Sequence, residues 1–477
     1  MHSEENPKPE IDRNFHYNDK YGATIIKHME REGKLFGTNG IRGTPNRDLT
    51  SDFALNVGRA CATVFGTRTI AMGRDTRDTG DMLFSAVMSG VLSTGVDVID
   101  LGILPTPAVQ YYCKVHGLYG IVITASHNPP EFNGIKCIDR DGTELRQEDE
   151  RRIEDAIHGK NWTLCPWDQV GRVSVDTRGG DLYISSVIAK VDASRIRSRR
   201  FRVAVDCGNG AAYLTTPKLL RALGCSVVEL NSYPDGQFTS RQSEPKPENL
   251  ADLISVMKSG NFSLGIAHDG DADRAVFIDE NGNFIDGDQS LSLLISSIAG
   301  KGDTVVTPVS SSDNLEHIAQ QKGFNVVRTR VGAPIVSRTI IERKAKIGGE
   351  ENGGVIYGEH QYCRDGAMTV ALMLNLIAES GKKISELVSS LPGFRLCRTT
   401  MKTEGRDPQK ILHDLENKKL SDNIDHTDGL KIYMDGGWAL VRASGTEPII
   451  RIYGHGKSME EAEKINRKVT GIISSLL

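Results

Sequence analysis

The stretch "GIVITASHNPPEFNGIK", residues 120–136, decides how this chain reads. Gly120 to Thr124 form a short continuous apolar run, the signature of a strand buried on both faces. Ser126, His127, Asn128 and Pro129 then halt it. Ser, Asn and Pro are common turn residues, so the stop alone is consistent with a plain turn. A serine fixed at the end of a buried strand is equally a nucleophile on a rigid base, with His127 and Lys136 close in sequence. No G-x-S-x-G elbow is present, and both readings stay open at this point.

Outward from that strand the chain alternates strand and helix patterns. "RTIAMGRD" and "VDVIDLG" read as strands around the amphipathic "DMLFSAVMSGVLSTG". The alternation recurs in "RFRVAVDCGNGAAYLTTPKLLRALGCSVVEL", "LADLISVMKSGNFSLGIAHDGDADRAVFID" and "DTVVTPVSSSDNLEHIAQQKGFNVVRTRVG". It predicts mainly parallel sheets covered by helices. The end differs. "GLKIYMDGGWALVRASGTEPIIRIYGHG" reads as three strands and "SMEEAEKINRKVTGIISSLL" as an amphipathic helix. The expected fold class is therefore α/β: three similar α/β mixed-sheet units and a smaller C-terminal α+β unit. The boundaries fall at an N-terminal extension over 1–33, weakly helical in 21–34, then units at 34–180, 181–282, 283–393 and 394–477.

In open α/β sheets ligands sit beyond the carboxyl ends of the strands. Three further loops there carry chemistry. "HDGDADRAVF" sets Asp269, Asp271 and Asp273 at alternate positions. Carboxylates so close repel one another unless a hard cation, Mg²⁺ or Ca²⁺, joins them. An EF-hand loop competes, since Glu280 falls at position 12, but position 6 is Arg274 and the flanks read as strands. "IGGEENGGVIYGEH" brings Glu350, Glu351 and Asn352 between glycine pairs, a set suited to sugar hydroxyls or to an exposed turn. "VRASGTEPIIR" combines Arg442, Ser444, Gly445, Thr446 and Arg451, a set suited to a phosphate dianion or to a polar hairpin loop.

Composition excludes other classes. The chain has 477 residues, 38% hydrophobic, and a formal net charge of −4. Such a balance lacks the basic footprint of nucleic-acid binding. No apolar run approaches the ~18 residues that span a bilayer. The polar N-terminus has no apolar core of a secretory signal. The eight cysteines have no C-x-x-C pair, and reduced core thiols in a cytoplasmic protein are expected.

Together "LFGTNGIRG", "GRDTR", "TASHNPPEFNGIK", "DGDADR", "GGEENGG" and "RASGTEPIIR", in that order, resemble the α-D-phosphohexomutase superfamily over residues 34–477. The resemblance implies four domains around a central cleft, each lending one loop. It implies a phosphoserine at Ser126 and one Mg²⁺ held by Asp269, Asp271 and Asp273 with that serine. Arg42, Arg274 and Lys136 match its cationic positions, Glu350 and Asn352 its sugar-reading pair, and Arg442, Ser444, Gly445, Thr446 and Arg451 its phosphate loop. It further implies a phosphosugar partner and a hexose 1,6-bisphosphate intermediate in a monomer or homo-oligomer. Among the branches, glucosamine 6-phosphate to glucosamine 1-phosphate is the first expectation. A dual phosphomannomutase/phosphoglucomutase is the second, and a seryl-phosphate phosphatase a distant third. Two departures bear on the general acid/base. Gly354 stands where part of the family has a histidine, and "RTRVGAPIV" offers no histidine either. Lys136 and His127 are the remaining candidates.

Overall fold

The computed structural model describes residues 35–37, 39–444 and 449–477. The extension expected over 1–33, with its helical stretch, lies outside them.

The first sheet holds β1 (Ile41–Gly43), β2 (Thr69–Arg74), β3 (Asp97–Ile103), β4 (Tyr119–Ile123), β5 (Asn133–Ile138) and β6 (Val173–Val175). Its order is β1-β5-β4-β2-β3-β6. The β2–β3, β2–β4 and β3–β6 pairs are parallel, while β4–β5 and β1–β5 are antiparallel. The second holds β7 (Arg202–Asp206), β8 (Ser226–Leu230), β9 (Leu264–His268), β10 (Ala275–Ile278) and β11 (Phe284–Ile285), ordered β11-β10-β9-β7-β8. The third holds β12 (Thr304–Pro308), β13 (Asn325–Thr329), β14 (Ile347–Glu350) and β15 (Gly354–Tyr357), ordered β13-β12-β14-β15. The fourth is wholly antiparallel: β16 (Arg395–Lys402), β17 (Ile424–Asp425), β18 (Leu430–Met434), β19 (Gly437–Ala443) and β20 (Ile449–Gly456), ordered β16-β20-β19-β18-β17. The first three sheets are thus mixed, as the α/β fold class expects, with fewer parallel pairs than the strand–helix alternation alone predicts.

One device recurs. In each of the first three sheets a parallel strand is followed by an antiparallel partner: β4 by β5, β9 by β10, β14 by β15. The connecting segments, 124–132, 269–274 and 351–353, are the loops singled out in the sequence. In the fourth sheet the antiparallel neighbours β19 and β20 flank the phosphate-loop candidate of the sequence.

Local chemistry explains the covering helices. In Ser51–Phe65, Thr50 caps the start by accepting from Phe53 N, and Gly66 ends the helix in the left-handed conformation. Its face of Ala54, Val57, Gly58, Cys61 and Phe65 is buried. A continuous apolar core joins the first three units, from Ala71 and Val122 through Val205, Ile266 and Leu291 to Leu374 and Leu387. The fourth unit has its own core, centred on Ile411, Ile432, Ile452 and Val469. It meets the third through Val309, which packs with Leu396, Trp438, Leu440 and Tyr453. No helix among the described residues is long and apolar enough to cross a membrane.

Candidate active site

Ser126 is fully buried at the mouth of the β4–β5 hairpin, with a left-handed φ of 53°. A non-glycine residue there is strained and held by its surroundings. Its N–H donates to Thr124 Oγ1 at 2.8 Å, and that hydroxyl donates to Asp75 Oδ2 at 2.6 Å. Arg77, from the quoted "GRDTR", holds the rest of the loop. Its Nε pairs with Asp75 at 3.1 Å. Its Nη1 donates to the carbonyls of Pro129 and Phe132 at 2.7 and 2.8 Å, and its Nη2 to those of Ser126 and Asn128 at 3.0 and 2.6 Å. One guanidinium therefore satisfies four loop carbonyls, for which no side-chain letter gives a signal.

The serine meets the acidic loop directly. Ser126 Oγ donates to Asp269 Oδ2 at 2.8 Å. This approach requires Gly270, since a Cβ there would lie 2.6 Å from Ser126 O. Asp269, Asp271 and Asp273 are all buried, with ligand atoms within 4.8 Å of one another. Burial, then Asp273 and Asp271, pushes the Asp269 carboxyl up to about 7. For Asp271 burial acts upward too, but Lys136 overcomes it and holds the carboxyl well below the usual range. Lys136 Nζ donates to Asp271 Oδ2 at 2.6 Å and Thr106 Oγ1 to the same oxygen at 2.7 Å. Asp271 Oδ1 and Asp273 Oδ1 are buried with no hydrogen-bond partner among the described residues. Orphaned carboxylate oxygens in a buried anionic cluster fit a divalent cation with oxygen preference.

The EF-hand alternative fails on this geometry. The loop runs between strands β9 and β10, and Glu280 turns to Ser385, whose hydroxyl donates to it.

The remaining candidates fall as follows. His127 Nδ1 is 3.5 Å from Ser126 Oγ. Burial, then Arg274, Arg42 and Arg364, holds its ring well below the ordinary value, so it is neutral near pH 7. Arg42 Nη1 donates to Asn128 Oδ1 at 2.7 Å. Arg274 Nε lies 3.7 Å from Asp273 Oδ1 and 3.9 Å from Asp269 Oδ2. The third loop is not an exposed turn. Glu350 and Glu351 are buried, and Glu350 accepts from Gly332 N at 3.1 Å and from Arg364 Nη1 at 3.0 Å. Glu351 accepts from Ser310 Oγ at 2.9 Å. Asn352 accepts from Gly354 N at 3.1 Å. In the fourth unit Arg442 and Arg451 are direct cross-strand partners. Arg442 Nε also lies 3.0 Å from Asp428 Oδ2. Gly445 and Thr446 lie outside the described residues.

Sequence reading passed over Arg77, Thr106 and Arg364. The first stood in a quoted stretch without a role, and the other two stood in none.

All four parts of the chain match one family description. Residues 33–163, 181–282, 286–394 and 401–472 match phosphoglucomutase/phosphomannomutase domains I, II, III and the C-terminal domain in turn. The chain belongs to this family of phosphohexomutases. A relative from Thermococcus kodakarensis, named phosphoglucomutase/phosphomannomutase, is 45% identical over 91% of this chain and 96% of its own. A probable phosphoglucosamine mutase from Methanopyrus kandleri is 40% identical over 92% and 98%. The crystal structure of a family member from Burkholderia thailandensis superposes with a TM-score of 0.81 at 26% identity, covering 92% of this chain and 97% of that one. In this family setting Gly354 stands at the place of the histidine noted above. The space beside it is filled: a Cβ on Gly354 would lie 2.3 Å from Arg364 Cδ.

Proposed function

We propose that this phosphohexomutase moves a phosphoryl group between the 1- and 6-positions of a hexose through a phosphorylated Ser126. Glucosamine 6-phosphate to glucosamine 1-phosphate is the preferred direction of assignment. The observation that carries the reading is Ser126 Oγ at 2.8 Å from Asp269 Oδ2, inside a carboxylate triplet with two orphaned oxygens. The Methanopyrus relative's name supports the amino sugar. The Thermococcus relative's name favours a second reading, dual use of glucose and mannose phosphates.

In this reading Asp269, Asp271, Asp273 and the seryl phosphate would hold one Mg²⁺ per chain. Mg²⁺ there would neutralise charge on the phosphoryl oxygens during transfer. Ser126 gives its phosphoryl group to the free hydroxyl of the hexose monophosphate. The P–O bond to serine breaks, and a P–O bond to the sugar forms. The hydroxyl proton leaves to the neutral His127, because Lys136, ion-paired with Asp271 as a cation, has no lone pair to accept it. The resulting hexose 1,6-bisphosphate turns over in the cleft and returns its other phosphate to Ser126. Three carboxylates and one Mg²⁺ sum to −1, and a phosphoserine adds roughly −1.5 to −2. Arg42, Arg274 and Lys136 offset that charge. Arg442, Ser444, Gly445, Thr446 and Arg451 bind the phosphate that is not reacting, and the cross-strand pairing of Arg442 with Arg451 places both on adjacent strands. Glu350 and Asn352 read the sugar hydroxyls.

The test compares kcat/KM for glucosamine, glucose and mannose 6-phosphates, followed by phosphorus NMR. Glucosamine 6-phosphate is expected to lead. A larger value for mannose or glucose would transfer the assignment to the second reading. Free phosphate in place of the isomer would sink the mutase reading. Ser126→Ala should lose roughly 10⁴-fold or more in kcat.

A further inference from the structure

Arg364 is 6% exposed and lies in "YCRDG", before the helix Gly366–Ser380. Its Nη2 donates to Asp273 Oδ2 at 2.5 Å, and its Nη1 to Glu350 Oε2 at 3.0 Å. One guanidinium thus spans a carboxylate of the metal loop in domain II and the carboxylate of the sugar loop in domain III. The planar fork holds the two carboxylates at fixed positions through separate nitrogens, which the single ammonium of a lysine cannot reproduce. Burial works against the charge, but Asp273 and then Glu350 outweigh it and hold the guanidinium above its ordinary value. Its Nε is buried and has no hydrogen-bond partner among the described residues.

The arginine is also rigidly mounted. Its neighbour Asp365 caps the helix by accepting from Met368 N at 2.9 Å. Asp365 further accepts from Gln361 Nε2 at 2.7 Å and contacts His360 Nδ1 at 3.1 Å. Gln361 Nε2 also reaches Pro107 O in domain I at 3.1 Å. Gly354 provides the berth, since any side chain there would collide with Arg364 Cδ and Cγ.

We propose that Arg364 is a positioning residue that couples the sugar-reading carboxylate Glu350 to the metal carboxylate Asp273, so that phosphosugar and divalent cation bind cooperatively. A ligand that reorients Glu350 shifts the guanidinium, and the guanidinium sets how freely Asp273 can turn to a cation. Such coupling is reciprocal by linkage. The proposal rests on the assignment of the two loops made above.

The test titrates MgCl₂ calorimetrically into the dephosphorylated full-length protein. It is run alone and with each of glucosamine, glucose and mannose 6-phosphates at saturation. In the wild type, the sugar phosphate that is turned over should tighten Mg²⁺ binding by about 5-fold or more. In Arg364→Lys that factor should fall to about one, and Mg²⁺ binding should weaken by ~10-fold or more. Gly354→Ala, which displaces the arginine without deleting it, should do the same and guards against a lysine variant that does not fold. A wild type without linkage, or a folded variant that keeps it, overturns the coupling. A wild type that isomerises none of the three sugars overturns the functional reading instead, so the two failures are told apart.

Discussion

Residues 124–132 and 269–274 occupy the same position in two related sheets, between a buried parallel strand and its antiparallel partner. The serine loop is held from outside. Arg77 collects four of its carbonyls, and Thr124 anchors the serine amide. The metal loop gathers three carboxylates and leaves two of their oxygens without a partner. One loop is complete within the protein, while the other has a place for a cation. With the roles proposed above, the comparison teaches that a nucleophile and its metal ligands need different supports. The nucleophile requires fixed geometry, whereas the metal ligands require spare valence.

The largest expected effect separates these supports. Chelation with EDTA should remove activity, and Mg²⁺ should restore it, with the thermal midpoint lower in the chelated state by linkage. Activity indifferent to chelation would break the contrast at its metal end. Asp271→Asn should have the same signature without recovery at ordinary Mg²⁺ concentrations.

Arg77→Met should come next. It removes a buried guanidinium and leaves Asp75 unpaired, at about 3–5 kcal/mol of stability. Burial already lifts the Asp75 carboxyl above its ordinary 3.8, and Arg77 is the largest opposing influence. A raised folded value means that stability is full below about 3.8 and falls as pH rises through the folded value. The variant should therefore melt at lower temperature as pH rises above about 4, more steeply than the wild type. Equal slopes in both proteins would refute the pairing as the source of the effect.

Gly270→Ala tests the seam between the loops. Its Cβ would meet Ser126 O at 2.6 Å and Ser243 Oγ at 2.7 Å. Overpacking of this kind costs about 1–3 kcal/mol. Activity should fall more than stability does, because the shift separates serine from metal. Thr106→Val should be the mildest change, losing one hydrogen bond to Asp271 worth about 1 kcal/mol and weakening Mg²⁺ binding several-fold. Calorimetric titration measures it, and an unchanged affinity would show that Lys136 alone orients that carboxylate.

Much of this contrast was legible in the sequence, and the reasons differ by loop. Ser126 and the three aspartates stand out because each lies in a short run of reactive or metal-ligating residue types right after a buried strand. Strand periodicity marked β4, β9 and β10 as well. The supports were not legible. Arg77 acts on backbone carbonyls, which every residue carries alike. Arg364 reaches Asp273 across 91 positions, and no local spacing encodes a pairing made by two domains. Glu280 shows the converse hazard. Its spacing suits a calcium loop, but strand geometry turns it toward Ser385.

The common core of domains I to III has a consequence for synthesis. It takes side chains from as early as Ala71 and as late as Leu387. Chains emerge from the ribosome at about 5–20 residues per second, N-terminus first. Ser126 is therefore translated well before Asp269, its hydrogen-bond partner, and the core cannot close until the region around Leu387 is out. The fourth domain, with a core of its own, can fold after that closure. The nascent chain thus carries a serine loop for many seconds before the carboxylates that complete it arrive.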